Sequence, residues 1–61
     1  MTSREVGVLK LVAAGLTNRE IADRLGVSSR TVDAHLRSVF AKIGVGSRSA
    51  ATRYAVEHAL V

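Results

Sequence analysis

Apolar positions along the chain recur at intervals of three and four residues, the spacing of one helix face, in four separate stretches. The first stretch opens on Thr2-Ser3-Arg4-Glu5. A Thr and a Glu three residues apart can each satisfy a backbone N–H that a helix start leaves without a partner. Val6, Leu9, Val12 and Ala13 follow as its apolar stripe, and Gly15 stands where the chain can turn left-handed and stop. Gly7 lies inside this helix, costs about 1 kcal/mol relative to Ala, and has no packing reason visible in the sequence. Thr17-Asn18-Arg19-Glu20 repeats the opening device, with Ile21, Ala22 and Leu25 as the apolar face and Gly26 as the stop. Ser28 opens a third, longer helix that runs to about Ile43 and is closed by Gly44. A fourth begins near Ser47 and continues through Ala50, Ala51, Tyr54 and Ala55 toward the C-terminus.

The second and third stretches belong together. Ala22 and Gly26 are four residues apart, Ile21 and Leu25 flank them, and Val32 comes six residues after the glycine. A short helix, a tight glycine turn and a steeply crossing second helix need these residue types: Ala22 small under the crossing, Gly26 free to take positive φ. Ile21, Leu25, Val27, Val32 and Leu36 then fill the wedge between the two helices. This is the helix-turn-helix pattern, whose second helix lies in the major groove of DNA. At 100° per residue Val32, Leu36, Val39 and Ile43 gather on one side of the third helix, with Phe40 at the edge. Arg30, Asp33, Ala34, Arg37 and Ala41 gather on the other, with Ser38 flanking.

Composition agrees with an all-α fold. The chain is 48% hydrophobic but only 3% aromatic and holds no Pro, which disfavours a strand-rich domain with many turns. Sixty-one residues make one domain, 1–61, of marginal burial, which leans on efficient helix packing or on oligomerisation. With no Cys, disulfides, zinc–thiolate sites and a thiol nucleophile are excluded; His35 and His58 stand far apart, so no metal or other cofactor is expected. The longest apolar run, Leu11 to Leu16, is far too short to span a bilayer, and a soluble cytoplasmic protein is the expectation. Net charge is +4 and uneven. Arg4, Lys10, Arg19 and Arg24 against Glu5, Glu20 and Asp23 leave +1 in residues 1–29. Arg30, Arg37, Lys42, Arg48 and Arg53 against Asp33 and Glu57 leave +3 in residues 30–61. A basic half points to a polyanionic partner.

Leu16-Thr17-Asn18-Arg19-Glu20-Ile21-Ala22, Val27-Ser28-Ser29-Arg30-Thr31-Val32-Asp33-Ala34-His35 and Lys42-Ile43-Gly44-Val45-Gly46-Ser47-Arg48 together resemble the LuxR-type (GerE-like) DNA-binding domain, from Thr2 to Leu60. The promoter-recognition helix-turn-helix of sigma factors shares the first three helices; Gly44 to Arg48 followed by a fourth helix favours the LuxR type. The resemblance implies the C-terminal effector domain of a response regulator, a quorum-sensing regulator or another signal-responsive transcription factor. Met1 stands where that family usually has a Leu, and the chain is expected to be an effector domain cut at its boundary, with a natural stand-alone protein as the lesser alternative.

Carried over by position, the resemblance makes the third helix the recognition helix. Asp33, Ala34 and Arg37 match base-facing positions, with Arg30 beside them. Arg37 can donate two hydrogen bonds to guanine, worth about 1–3 kcal/mol of discrimination. Asp33 departs from the basic residue that several family members carry; it can accept from cytosine N4 or pair with Arg37 four residues on. Phosphate contacts are expected from Thr17, Asn18, Ser28, Ser29 and Thr31 at helix starts, where hydroxyls and N–H groups converge, and from Lys42 and Arg48. His35 is expected to pack against the first helix, and Tyr54 to pack its ring in the core.

The fourth helix carries two stripes: Ala51, Tyr54, Ala55 and His58, and Thr52, Val56, Ala59 and Leu60. One must face the core, leaving Thr52, Val56 and Ala59 as the surface of a weak homodimer, which the resemblance also implies. Double-stranded DNA is thus the expected partner, with no membrane and no small-molecule ligand. A helix-turn-helix serving only as a protein-interaction or dimerisation module is the alternative, opposed by Arg30 and Arg37 on one face. An enzyme is the least supported class, since the sequence offers no catalytic constellation.

Overall fold

In a computed structural model, which describes residues 1–60, the chain forms four helices: α1 (Ser3–Ala13), α2 (Asn18–Leu25), α3 (Ser29–Ile43) and α4 (Arg48–Glu57). Among the described residues there is no strand, so the fold is all-α. The caps are where the sequence puts them. Thr2, Thr17, Ser28 and Ser47 are extended and accept from the N–H of Glu5, Glu20, Thr31 and Ala50 respectively. At α1 and α2 the Glu carboxylate returns to the cap N–H, completing both capping boxes.

All four helices end in one device. A left-handed residue, Gly15 (φ 90), Gly26 (φ 72), Gly44 (φ 72) or Ala59 (φ 55), is followed by an apolar one. The N–H of that next residue, Leu16, Val27, Val45 or Leu60, reaches back to the carbonyl of Leu11, Ala22, Phe40 or Ala55. Three of the stops are glycines. The fourth places an alanine where its Cβ crowds the following carbonyl, a strain of about 1–2 kcal/mol. This corrects the expected course of the C-terminus: α4 ends at Glu57, and Ala59 lies in the turn beyond it.

The core has two parts. Val8 and Val12 of α1, Ile21 and Ala22 of α2, and Val32 and Leu36 of α3 form the first, which fixes the helix-turn-helix. Leu9 of α1, Val39 of α3, and Ala51 and Ala55 of α4 form the second. Phe40 packs against both. Because α1 meets α2, α3 and α4, its buried face is broader than a single stripe: Glu5, Val8, Leu9 and Val12 are buried while Val6 is only half-buried. On α4 the Ala51/Ala55 side faces inward with Tyr54 packed against it, and Leu60, read from the sequence as part of the outer stripe, also packs there. A Cβ at Gly7 would meet nothing within 4 Å, so this glycine has no packing role.

Candidate nucleic-acid interface

The turn at Gly26 delivers α3 with Val32, Leu36 and Val39 buried and the opposite side open. Arg30, Asp33, Ala34 and Arg37 are all exposed on that side, as the helical spacing requires. Asp33 and Arg37 are not independent: the carboxylate lies 3.3 Å from the Arg37 Nε, one turn away. The Arg37 side chain is nonetheless 82% exposed, and the pair engages its Nε, one of the three nitrogens of the guanidinium. Of the two roles weighed for Asp33, the intrahelical pair with Arg37 is present, and it stands on the open face.

At the start of α3, Ser28, Ser29, Arg30 and Thr31 are exposed. The Ser28 hydroxyl caps the Thr31 N–H at 3.1 Å and lies 3.0 Å from the Thr31 hydroxyl. Both hydroxyls thus sit at the positive end of a 15-residue helix with lone pairs and protons left to offer.

A second group brings together parts far apart in sequence. Arg48, at the start of α4, donates from Nη1 to Asn18 Oδ1 at 2.8 Å and from Nη2 to the Leu16 carbonyl. The beginnings of α2 and α4 are thereby tied side by side, with Thr17, Asn18 and Arg48 in one place. Thr17 itself accepts from Glu20 N–H, and the Glu20 carboxylate accepts from Thr17 N–H at 2.8 Å. These bonds lower the Glu20 pKa, the backbone one most.

Lys42 does not stand with the others. Its ammonium lies 2.8–2.9 Å from the two oxygens of Glu5, whose carboxylate also accepts from Thr2 N–H at 2.8 Å and from the Ser38 hydroxyl at 3.1 Å. Glu5 is 6% exposed, and every polar atom of the group has a partner. Lys42 first, then the Thr2 N–H, holds the Glu5 pKa down from 4.5 to about 2. Glu5 carried a cap in the sequence; nothing there signalled its reach across to α3, since that depends on how two helices cross.

The proposed dimer residues divide. Val56 is 61% exposed, a large apolar side chain on the outer side of α4. Thr52 is half-buried, its hydroxyl donating to the Arg48 carbonyl at 3.1 Å. Ala59 lies past the helix end. The half-buried Tyr54 ring stacks on the exposed ring of His58, at the end of α4, with centroids 3.9 Å apart, and His35 on α3 is half-buried. Among the described residues no group of acidic, His or Cys side chains could hold a metal ion, and no helix is long and apolar enough to cross a membrane.

Residues 1–55 match the family described as bacterial regulatory proteins, luxR family. The chain belongs to that family. Transcriptional regulatory protein MctR of Rhizobium johnstonii is 38% identical over 61 residues, covering 100% of this chain and 28% of that protein. The nitrate/nitrite response regulator protein homolog of Haemophilus influenzae is 48% identical over 52 residues, covering 85% of this chain and 25% of its own length. The crystal structure of the response regulator ChrA, of a heme-sensing two-component system, superposes with a TM-score of 0.89 at 37% identity, over 98% of this chain and 30% of that one. The chain thus spans between a quarter and a third of the length of these relatives. Sequence-specific DNA binding in transcription regulation is the function this luxR-family membership carries to the domain, and the family's helix-turn-helix is the one built here from α2 and α3.

Proposed function

We propose that α3 lies in the major groove of double-stranded DNA with Arg30, Asp33, Ala34 and Arg37 toward the bases, and that the domain is the DNA-binding part of a longer cytoplasmic regulator. The observation that carries this reading is the open face of α3. Two arginines, a carboxylate paired to one of them and small side chains stand opposite a fully buried face, behind a glycine turn. The bared Arg37 fork suits guanine O6 and N7. Thr17, Asn18 and Arg48 form one phosphate-gripping group, where two helix starts and a guanidinium meet, and Ser28, Ser29 and Thr31 form another. Lys42, expected among them, is held by Glu5 and has a different role, argued below.

The domain is proposed to act by binding alone and not as an enzyme. Two copies would pair weakly through α4, with Val56 as the apolar anchor, and place two α3 helices about one helical turn of DNA apart. Selection of bound sequences from random duplexes with the 61-residue chain tests the base-reading face. Arg37→Ala should lose about 1–3 kcal/mol on the selected site and relax one base position. Equal losses on every duplex would make Arg37 a phosphate contact, and equal binding of all sequences by the parent chain would sink the specific reading altogether.

A further inference from the structure

We infer that Glu5 is a positioning residue for the DNA-reading helix, holding α3 by Ser38 and Lys42 and keeping the Lys42 charge from the phosphate backbone; the inference rests on the DNA-binding reading above. Three bonds and an ion pair converge on one carboxylate. The Thr2 N–H fixes it to the start of α1, while the Ser38 hydroxyl and the Lys42 ammonium come from α3. Ser38 and Lys42 are one turn apart, so they mark a single edge of α3, between its core face and its open face.

Such an edge clamp controls what apolar packing controls poorly. Val32, Leu36 and Val39 meet their neighbours through non-directional contacts, which tolerate a small roll of the helix about its own axis. A roll of ~10° moves a side chain at the helix rim, about 5–6 Å from the axis, by about 1 Å. That is enough to carry a paired hydrogen bond to a base out of its range. The ion pair and the Ser38 bond are directional and short, and they resist that roll. The same bonds occupy the Lys42 ammonium with a nearby buried anion, fixed in place before any DNA arrives.

Glu20 supplies the internal control, because its carboxylate occupies the same position in the same cap but is exposed and bonds only to Thr17. The test compares Glu5→Gln, Lys42→Ala, Glu5→Gln/Lys42→Ala and Glu20→Gln. Each is measured for affinity on the selected site and on unrelated duplex across a salt series. In Glu5→Gln the amide still accepts from Thr2 N–H but no longer binds Lys42 as an ion. The salt slope on unrelated duplex should steepen by about 0.9, one further phosphate, as Lys42 comes loose. The double variant should return to the parent slope. Lys42→Ala alone should keep that slope while the specific-to-unrelated ratio falls by about 2- to 30-fold, the range of residues that act without touching the ligand. Glu20→Gln should move neither quantity.

A slope that drops by about 0.9 in Lys42→Ala would make Lys42 a phosphate contact and overturn the inference. So would a Glu5→Gln protein with parent slope and parent ratio. Should Glu5→Gln fail to fold, Lys42→Ala decides the matter alone. Failure of the parent chain to bind any duplex would instead overturn the DNA reading itself, and the inference with it.

Discussion

Two stretches of this chain share one local pattern and end in different places. Thr2 to Glu5 and Thr17 to Glu20 are both Thr-x-Arg-Glu, and both close the same pair of backbone bonds at nearly the same distances, 2.8 and 3.2 Å. At the start of α2 the carboxylate stays in solvent and does nothing further. At the start of α1 the same carboxylate is covered and takes two more partners from α3. A cap is thus a local bargain between four residues, whereas the use made of its spare lone pairs is set by whatever helix passes overhead. α1, like α3, packs against all three other helices, whereas α2 packs against α1 and α3.

That difference is open to being broken. The largest effect is expected from comparing Glu5→Ala with Glu20→Ala in thermal unfolding: the first strands Lys42 and Ser38 as well as a cap, the second opens a cap alone. Glu5→Ala should lower the melting temperature several times as far, and equal losses would show that the α3 partners add nothing. Acid titration sharpens the same contrast. The Glu5 pKa is lowered to about 2 from 4.5, so its contribution is complete above 4.5 and is lost as pH falls from there toward 2. Glu20 is lowered too, with the same sign, through its own cap only. Removing the Glu5 charge with Glu5→Gln should flatten the acid side of the stability profile, and Glu20→Gln should flatten it less. A profile unchanged by Glu5→Gln would mean that the acid lability lies elsewhere.

How far the sequence reached follows the same division. The caps at Thr2, Thr17, Ser28 and Ser47 and the stops at Gly15, Gly26 and Gly44 were legible because each is decided within six residues. The open face of α3 was legible because a helix of 15 residues repeats its pattern often enough to separate two sides. The buried side of α1 was misjudged at Val6 because nearly every position from 6 to 14 is apolar or small, and the choice among them depends on three neighbours. The end of α4 was overrun because the stop there is an alanine, which no turn pattern marks. Lys42 and Arg48 read as phosphate contacts, and both prove to have partners within the chain more than 29 residues away in sequence, bonds that no local window contains.

The remaining comparisons should give smaller effects. Thr2→Ala and Thr17→Ala should each cost about 1 kcal/mol in denaturant unfolding, nearly alike, since the threonines do the same local work at both caps. A loss at Thr2 several times that at Thr17 would show that the cap and the α3 clamp are one cooperative unit. Smallest, and opposite in sign, Gly7→Ala two residues beyond Glu5 should stabilise by about 0.5–1 kcal/mol, because the added methyl meets open space and the helix gains propensity.

Phe40, on α3, is packed against both halves of the core, and α1 and α3 each contribute buried residues to both. A protein of this size could have come apart in stages, with α4 peeling away while the helix-turn-helix held. A ring shared by the two halves forbids that economy. Loss of α4 would bare one face of Phe40 and loosen the grip on α3 in its last turn. The domain should therefore melt as one body, and any contact made on α4, by a second copy or another protein, is felt at α3 without a change of shape, simply as a helix that opens less often. Amide exchange in α3 should slow when α4 is engaged, and Phe40→Ala should uncouple the two, leaving α4 to exchange faster than α2.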